Sequence, residues 1–242
     1  MLASNDRRGA EVFAVDLARE LDGLGWESTL VSLSRSGSSA TVPARTLGEG
    51  RARQLLPLRR EAGEHDVVIA HGSTSLPACA IACAGTTPFV YRSIGDPSYW
   101  SPTGPKRLRT KVLLDRAHAV VALFDGAAQA LRSRGIRSDV RVIPNAVRAE
   151  HFPAITADDR GRARAELAIS PTATVALYLG ALSREKRPER VLALARTRPD
   201  FTVLVVGDGA MRPTLTASAA GLANVEVRGP TETPSRYLAA AD

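Results

Sequence analysis

Two short stretches in the last third of the chain have residue types and spacing suited to holding a phosphorylated ligand. In "LGALSREKRPE", Gly180 is followed by Arg184 and Lys186. A glycine at the tip of a strand lets backbone approach a ligand closely. A lysine offers phosphate oxygens a point charge and three donors, and Arg184 adds a planar fork. In "VVGDGAMRPTL", Gly207 and Gly209 flank Asp208 where an apolar run gives way to a helical pattern. A helix beginning there presents free N–H groups and the positive end of its dipole. This is not the dinucleotide fingerprint, because the third glycine would fall at Arg212. Either turn alone also reads as a tight strand–helix connection with exposed charges. The two together, one βα unit apart, point to a ligand site.

Such turns need strands that end at them. "TVALYLG" and "FTVLVVG" are continuous apolar runs, each followed by a helical pattern, "PERVLALART" and "AMRPTLTASAAG". "NVEVRG" and "PSRYLAAA" repeat the alternation, and "RGRARAEL" opens it. The first half reads the same way. In "GAEVFAVDLARELDGLGWESTLVSL", Phe13, Leu17, Leu21 and Leu24 fall at helical spacing, Gly25 is a stop, and "STLVSL" is a strand. "DVVIA", "PFVYRS", "AVVAL" and "VRVIP" are further strands. They alternate with helices in "SLPACAIACA", "KRLRTKVLLDRA" and "DGAAQALRSRG". Residues 34–63, rich in Ser, Gly and Arg, give no element. Short apolar strands alternating with helices imply parallel sheets covered on both faces. "NAVRAEHFPAITADD" breaks the rhythm and reads as a linker. The expected organisation is therefore α/β, with two Rossmann-like domains: residues 1–144, a linker at 145–159, and 160–242. Open sheets of this class bind ligands at the carboxyl ends of their strands, where residues 180–187 lie.

The net charge of +7 comes mostly from arginine and suits an anionic partner: nucleic acid, a membrane surface or a phosphorylated small molecule. Aromatic residues are sparse and do not interleave with the basic ones, and no helix-turn-helix, zinc or RNP pattern occurs, so no nucleic-acid partner is expected. No apolar run approaches the roughly 20 residues that span a bilayer. With no signal-like start, a cytoplasmic location is the expectation. Cys79 and Cys83 read as small buried residues, because a metal site needs more ligands than this pair.

Taken in order, "GAEVFAVDLARELDGLGWESTLVSL", "VIPNAVRAEHF", "LGALSREKRPERVLALA" and "VVGDGAMRPTL…NVEVRGP…YLAAAD" resemble the GT-B-fold retaining glycosyltransferases of family 4. The resemblance spans nearly the whole chain. It implies transfer of a sugar from a nucleotide-diphosphate sugar held in a cleft between an acceptor-side N-terminal domain and a nucleotide-binding C-terminal one. It implies that Lys186 contacts the donor diphosphate, that the stretch around Arg228 and Gly229 lies by the nucleobase, and that Gly9 belongs to a glycine loop facing the donor. No metal is required on this account, because fixed cations and helix ends stabilise the leaving diphosphate. The acceptor, a glycan, a lipid or a small molecule, is unknown.

The chain also departs from the family. Ala181 stands where an arginine often follows the strand glycine, and Arg8 replaces the first of a glycine pair. Where many members carry a histidine after the "PFVYRS" strand, this chain has Ile94, Gly95 and Asp96. Asp96 is a candidate for sugar or acceptor contact, or forms an Asx turn before Pro97. His71, at the end of "DVVIAHG", is a candidate for the same cleft or a structural histidine. No two glutamates stand eight apart, as the family's E-x7-E requires, and only the tail of a first strand precedes Gly9. These features lead to the expectation of a fragment with an incomplete C-terminal domain, inactive by itself. The basic helix with Lys106, Arg107, Arg109 and Lys111 could meet an anionic membrane at its inner face. The preferred reading is a solvated face with Leu108, Val112 and Leu113 in the core. Two alternatives stay open: a nucleotide-sugar 2-epimerase on the same fold, and a non-catalytic nucleotide-sugar-binding remnant.

Overall fold

In the computed structural model, which describes residues 1–35, 41–48, 51–95, 97, 104–147 and 153–242, the apolar runs become short parallel strands alternating with helices. Contacts divide the chain into two units, Met1–Val147 and Arg148–Asp242.

The N-terminal unit contains β1 (Leu2–Ser4), α1 (Gly9–Gly23), β2 (Val31–Ser34), β3 (Arg45–Thr46) and α2 (Arg51–Gly63). It continues with β4 (Val68–His71), α3 (Ser75–Ala82), β5 (Phe89–Arg92), α4 (Gly104–Leu114), β6 (Ala119–Ala122), α5 (Asp125–Arg132) and β7 (Asp139–Val142). The strands pair in the orders β1-β2-β3 and β4-β5-β6-β7, all parallel. The Met1 amine donates to the Ile69 carbonyl (2.8 Å) and the His71 N–H donates to the Met1 carbonyl (3.0 Å). These bonds join β1 to β4, giving the order β3-β2-β1-β4-β5-β6-β7. Strand order reverses between β1 and β4, the place where doubly wound sheets take ligands.

Gly25 stops α1 as expected. It sits at φ +88°, its N–H bonds the Asp22 carbonyl, and the Trp26 N–H bonds the Leu21 carbonyl. This is the Schellman arrangement that glycine permits at low cost. The helix buries Glu11 and Ala14, however, while Leu24 lies beyond its end and is 77% exposed.

The segment 34–63 holds more structure than its composition suggests. Gln54, Leu58 and Ala62 recur four apart and are all buried. The Gln54 amide donates to the Leu33 and Gly48 carbonyls, and Thr87 Oγ1 donates to the Ala62 carbonyl (2.6 Å). Packing therefore holds α2 despite Pro57 inside it.

The expectation for the basic helix α4 needs correction. Leu114 is buried and Leu113 packs against the core, but Leu108 is 64% and Val112 48% exposed. These two stand one turn apart on a face left largely uncovered among the described residues.

The C-terminal unit runs α6 (Ala157–Glu166), β8 (Thr174–Leu179), α7 (Glu189–Thr197), β9 (Phe201–Val206), α8 (Arg212–Ala219), β10 (Val225–Arg228) and α9 (Pro234–Ala240). Helix α6 begins earlier than the "RGRARAEL" pattern implied, because Thr156 and Asp159 form a reciprocal capping box. The three parallel strands are ordered β10-β9-β8. Central β9 is apolar from Val203 to Val206, where both its faces are covered. Val203 and Val205 pack with Leu182, Leu192 and Leu215 on one side. Leu204 and Val206 pack with Leu167, Ile169 and Tyr237 on the other. The buried Arg164 guanidinium donates to the Ala240 and Pro171 carbonyls and to Asp242, whose carboxylate also accepts from the Val175 N–H (2.8 Å). This cluster ties α6, α9 and β8 together.

Both units are Rossmann-like α/β, the architecture of the GT-B fold. Among the described residues no helix is long and apolar enough to cross a membrane, and no group of three His, Cys, Asp or Glu side chains could hold a metal ion. Cys79 and Cys83 are both buried thiols.

Candidate functional site

In the C-terminal unit the two turns singled out in the sequence pack against each other at the carboxyl ends of β8 and β9. Gly180 (φ +153°), Gly207 (φ +151°) and Gly209 (φ +151°) hold backbone conformations that side chains disfavour. A Cβ at Gly209 would lie 2.5 Å from the Leu182 carbonyl oxygen. The Gly180 N–H bonds the Val206 carbonyl (3.0 Å), the Leu182 N–H bonds the Asp208 carbonyl (2.8 Å), and the Met211 N–H bonds the Leu182 carbonyl (2.9 Å). Leu182, fully buried, anchors the first turn, and Tyr178 Oη donates to the Ala181 carbonyl (2.9 Å).

Beyond Leu182 the chain makes one helical turn. The Lys186 and Arg187 N–H groups both bond the Ser183 carbonyl, and Arg187 adopts φ +51°. A non-glycine residue there is strained by about 1 kcal/mol. That turn lifts Arg184 and Lys186 into solvent, and neither makes an ion pair among the described residues. Two exposed basic side chains thus stand beside a glycine-lined strand end. The Asp208 carboxylate is turned locally: Oδ1 accepts from the Gly209 N–H (2.9 Å) and lies 3.8 Å from the Arg212 guanidinium. Arg212 also lies against Gly229, linking the turn after β9 to the turn after β10.

Arg228 ends β10 next to this strand end, and its carbonyl accepts from the Gly207 N–H (3.4 Å). Its guanidinium is engaged elsewhere. It forms a two-point pair with Glu226 (2.7 Å each), donates to the Leu167 carbonyl (3.1 Å) and lies 5.7 Å from the Tyr237 ring centre.

In the N-terminal unit, Gly9 opens α1 after β1, with no side-chain cap before it. His71 closes β4 and is 5% exposed. Burial first, then the chain's amino group and Arg92, holds its imidazole down to about 3, so the ring is neutral at ordinary pH. Arg92 closes β5 as the register partner of His71. Its guanidinium lies 3.7 Å from the centre of the Phe13 ring and bonds the Asn145 side-chain oxygen. The Phe13 and His71 rings are 6.4 Å apart. Burial pushes the Glu11 carboxyl up, in the first turn of α1. Asp96 lies outside the described residues.

The structure thus brings Gly180, Gly207, Asp208 and Gly209 together, with Arg184 and Lys186 beside them. It separately sets His71 near the start of α1. Arg92 and Arg212 are not marked out by the sequence. An arginine at a strand end carries no spacing signal, and Arg212 stood out only as a broken glycine pattern.

The family model for Glycosyltransferase Family 4 matches residues 7–151, more than half of the chain. The chain belongs to this family. As a family 4 chain it also shares its fold with solved structures. HepE from Anabaena, solved with UDP and glucose, has a TM-score of 0.80 and 22% identity, over 100% of this chain and 72% of that one. A glycosyltransferase from Rickettsia africae has a TM-score of 0.70 and 16% identity, over 100% and 70%. UDP-GlcNAc 2-epimerase from Neisseria meningitidis, solved with UDP-GlcNAc, gives 0.63 and 16%, over 98% and 74%. No curated protein matches the sequence. The family match takes in Gly9, His71 and Asp96 and stops before Gly180.

Proposed function

We propose that the C-terminal unit binds the diphosphate of a nucleotide sugar at the carboxyl ends of β8 and β9, and that the protein transfers the sugar with retention to an acceptor held by the N-terminal unit. The observation that carries this reading is the backbone contact between the Gly180 and Gly207 turns, with Lys186 and Arg184 beside it, neither in an ion pair among the described residues. The glycine turns leave no side chain between the main chain and a phosphate group, and the two cations stabilise the charge that the leaving diphosphate gains as the glycosidic bond breaks. Family membership and the likeness to HepE, solved with UDP and glucose, support the same reading. A retaining front-face reaction needs no carboxylate nucleophile from this chain. Within the N-terminal unit, Gly9 is assigned to the donor, and Asp96 and His71 to the sugar or acceptor. Arg228 and Gly229 lie by the nucleobase, Arg228 through its backbone in the arrangement described.

The exposed pair Leu108 and Val112, beside exposed Lys106 and Arg109, supports peripheral contact of the N-terminal unit with an anionic membrane surface. The likeness to a UDP-GlcNAc 2-epimerase supports a second reading, with epimerisation of the donor in place of transfer.

Product analysis separates the two. Incubated with UDP-sugars and an acceptor pool, a transferase releases UDP as acceptor is consumed. An epimerised donor with no acceptor consumed supports the second reading. Turnover that is unchanged in Lys186→Ala rules out the assigned diphosphate site.

A further inference from the structure

We propose that His71 and Arg92 form an anion-binding site at the carboxyl ends of β4 and β5, in the N-terminal unit, that takes a carboxylate or phosphate group. The two residues are register partners on adjacent parallel strands, so their side chains leave the sheet on the same face. Arg92 is only 4% exposed, yet no carboxylate pairs with it among the described residues. Burying a cation without a counter-charge is costly, and arginine cannot escape the cost by losing its proton. Two neutral groups hold it: the face of Phe13 and the side-chain oxygen of Asn145. Arg92 Nη1 and His71 Nδ1 are both buried and have no hydrogen-bond partner among the described residues. Buried polar atoms left unpaired are rare and call for a cause.

An oxyanion supplies what the described residues do not offer here, an opposite charge and further acceptor oxygens. Charge-assisted bonds are roughly twice as strong as neutral ones, so an anionic oxygen displaces the Asn145 carboxamide from the guanidinium. The neutral His71 ring donates one N–H alongside. A site built only for stability would set an aliphatic side chain at position 92, in line with the apolar residues beneath it. That the anion belongs to the acceptor rests on the reading above; the anion site itself does not.

The test is an NMR titration of the full chain with inorganic phosphate and, separately, with acetate, at constant ionic strength. It is read at the Arg92 side-chain and His71 ring resonances. Saturable shifts at both residues are expected. A stronger response to phosphate assigns a phosphorylated ligand, and a stronger response to acetate a carboxylate. Arg92→Met is expected to abolish the response while melting at or above the wild-type temperature. If that variant does not fold, Arg92→Lys keeps the charge but loses the fork, and binding is expected to weaken roughly tenfold. The same titration in Lys186→Ala is expected to be unchanged, which separates this site from the donor site. The absence of saturable shifts with either anion overturns the proposal. So does an unaltered His71 response in Arg92→Met, or full affinity in Arg92→Lys.

Discussion

A Cβ added at Gly207 would fall 1.9 Å from the carbonyl oxygen of Gly180. The two strand-end turns are therefore in direct backbone contact, and the partner atom belongs to a main chain that cannot swing away. Gly207→Ala is expected to destabilise the C-terminal unit by about 2–4 kcal/mol, because both the clash and the positive φ must be relieved by moving backbone. Urea unfolding measures this. A loss below about 0.5 kcal/mol, the range of ordinary surface substitutions, would show that the turns are not packed as described.

Lys186 should behave in the opposite way. It is exposed and makes no ion pair among the described residues. Lys186→Ala is expected to leave stability within about 0.5 kcal/mol of wild type. A melting curve checks this, and a large loss would assign the lysine a structural role in place of a binding one.

His71 gives the N-terminal unit a pH dependence with a defined sign. Its ring is held neutral in the folded chain down to about 3, whereas in the unfolded chain it protonates near its ordinary value, about 6.5. The unfolded state then binds the extra proton between those values. Its contribution to stability is complete above about 6.5 and falls as pH drops toward 3. The loss at pH 5 is at most about 2 kcal/mol. Urea unfolding of wild type and His71→Gln at several pH values tests this, and the variant is expected to show a flatter profile. Equal slopes for the two proteins would place the imidazole in a solvated setting.

The α4 face offers a contrast with buried positions. Leu108→Ser and Val112→Ser together are expected to change stability by less than about 1 kcal/mol, against about 2–5 kcal/mol for truncating a buried leucine. On vesicles containing anionic lipid, the same double variant is expected to bind more weakly than wild type. Equal binding would remove that face from membrane contact.

The sequence made the turns and the central strands legible because backbone demands leave marks in residue type. Gly25 ends α1 in a left-handed conformation, Gly180 holds positive φ, and Gly207 and Gly209 hold it against neighbouring backbone. The unbroken apolar run from Val203 to Val206 signals a strand covered on both faces. What failed to show depended on tertiary contacts. Helix α2 hid behind Pro57 and its arginines, since the buried row of Gln54, Leu58 and Ala62 is held by the Leu33 and Gly48 carbonyls and by core packing. Leu108 and Val112 have core-like residue types, but among the described residues they stay largely exposed. Arg92 reads as one more basic residue in an arginine-rich chain until burial and register set it beside His71.

We assign a nucleotide-diphosphate site to the carboxyl ends of β8 and β9. Calorimetric titration of the full chain with UDP, in wild type and Lys186→Ala, tests it most directly. Saturable binding by wild type that weakens roughly tenfold or more in the variant, with both proteins equally stable, is the predicted result. UDP binding of equal affinity in the two proteins, or none in a folded wild type, would contradict it.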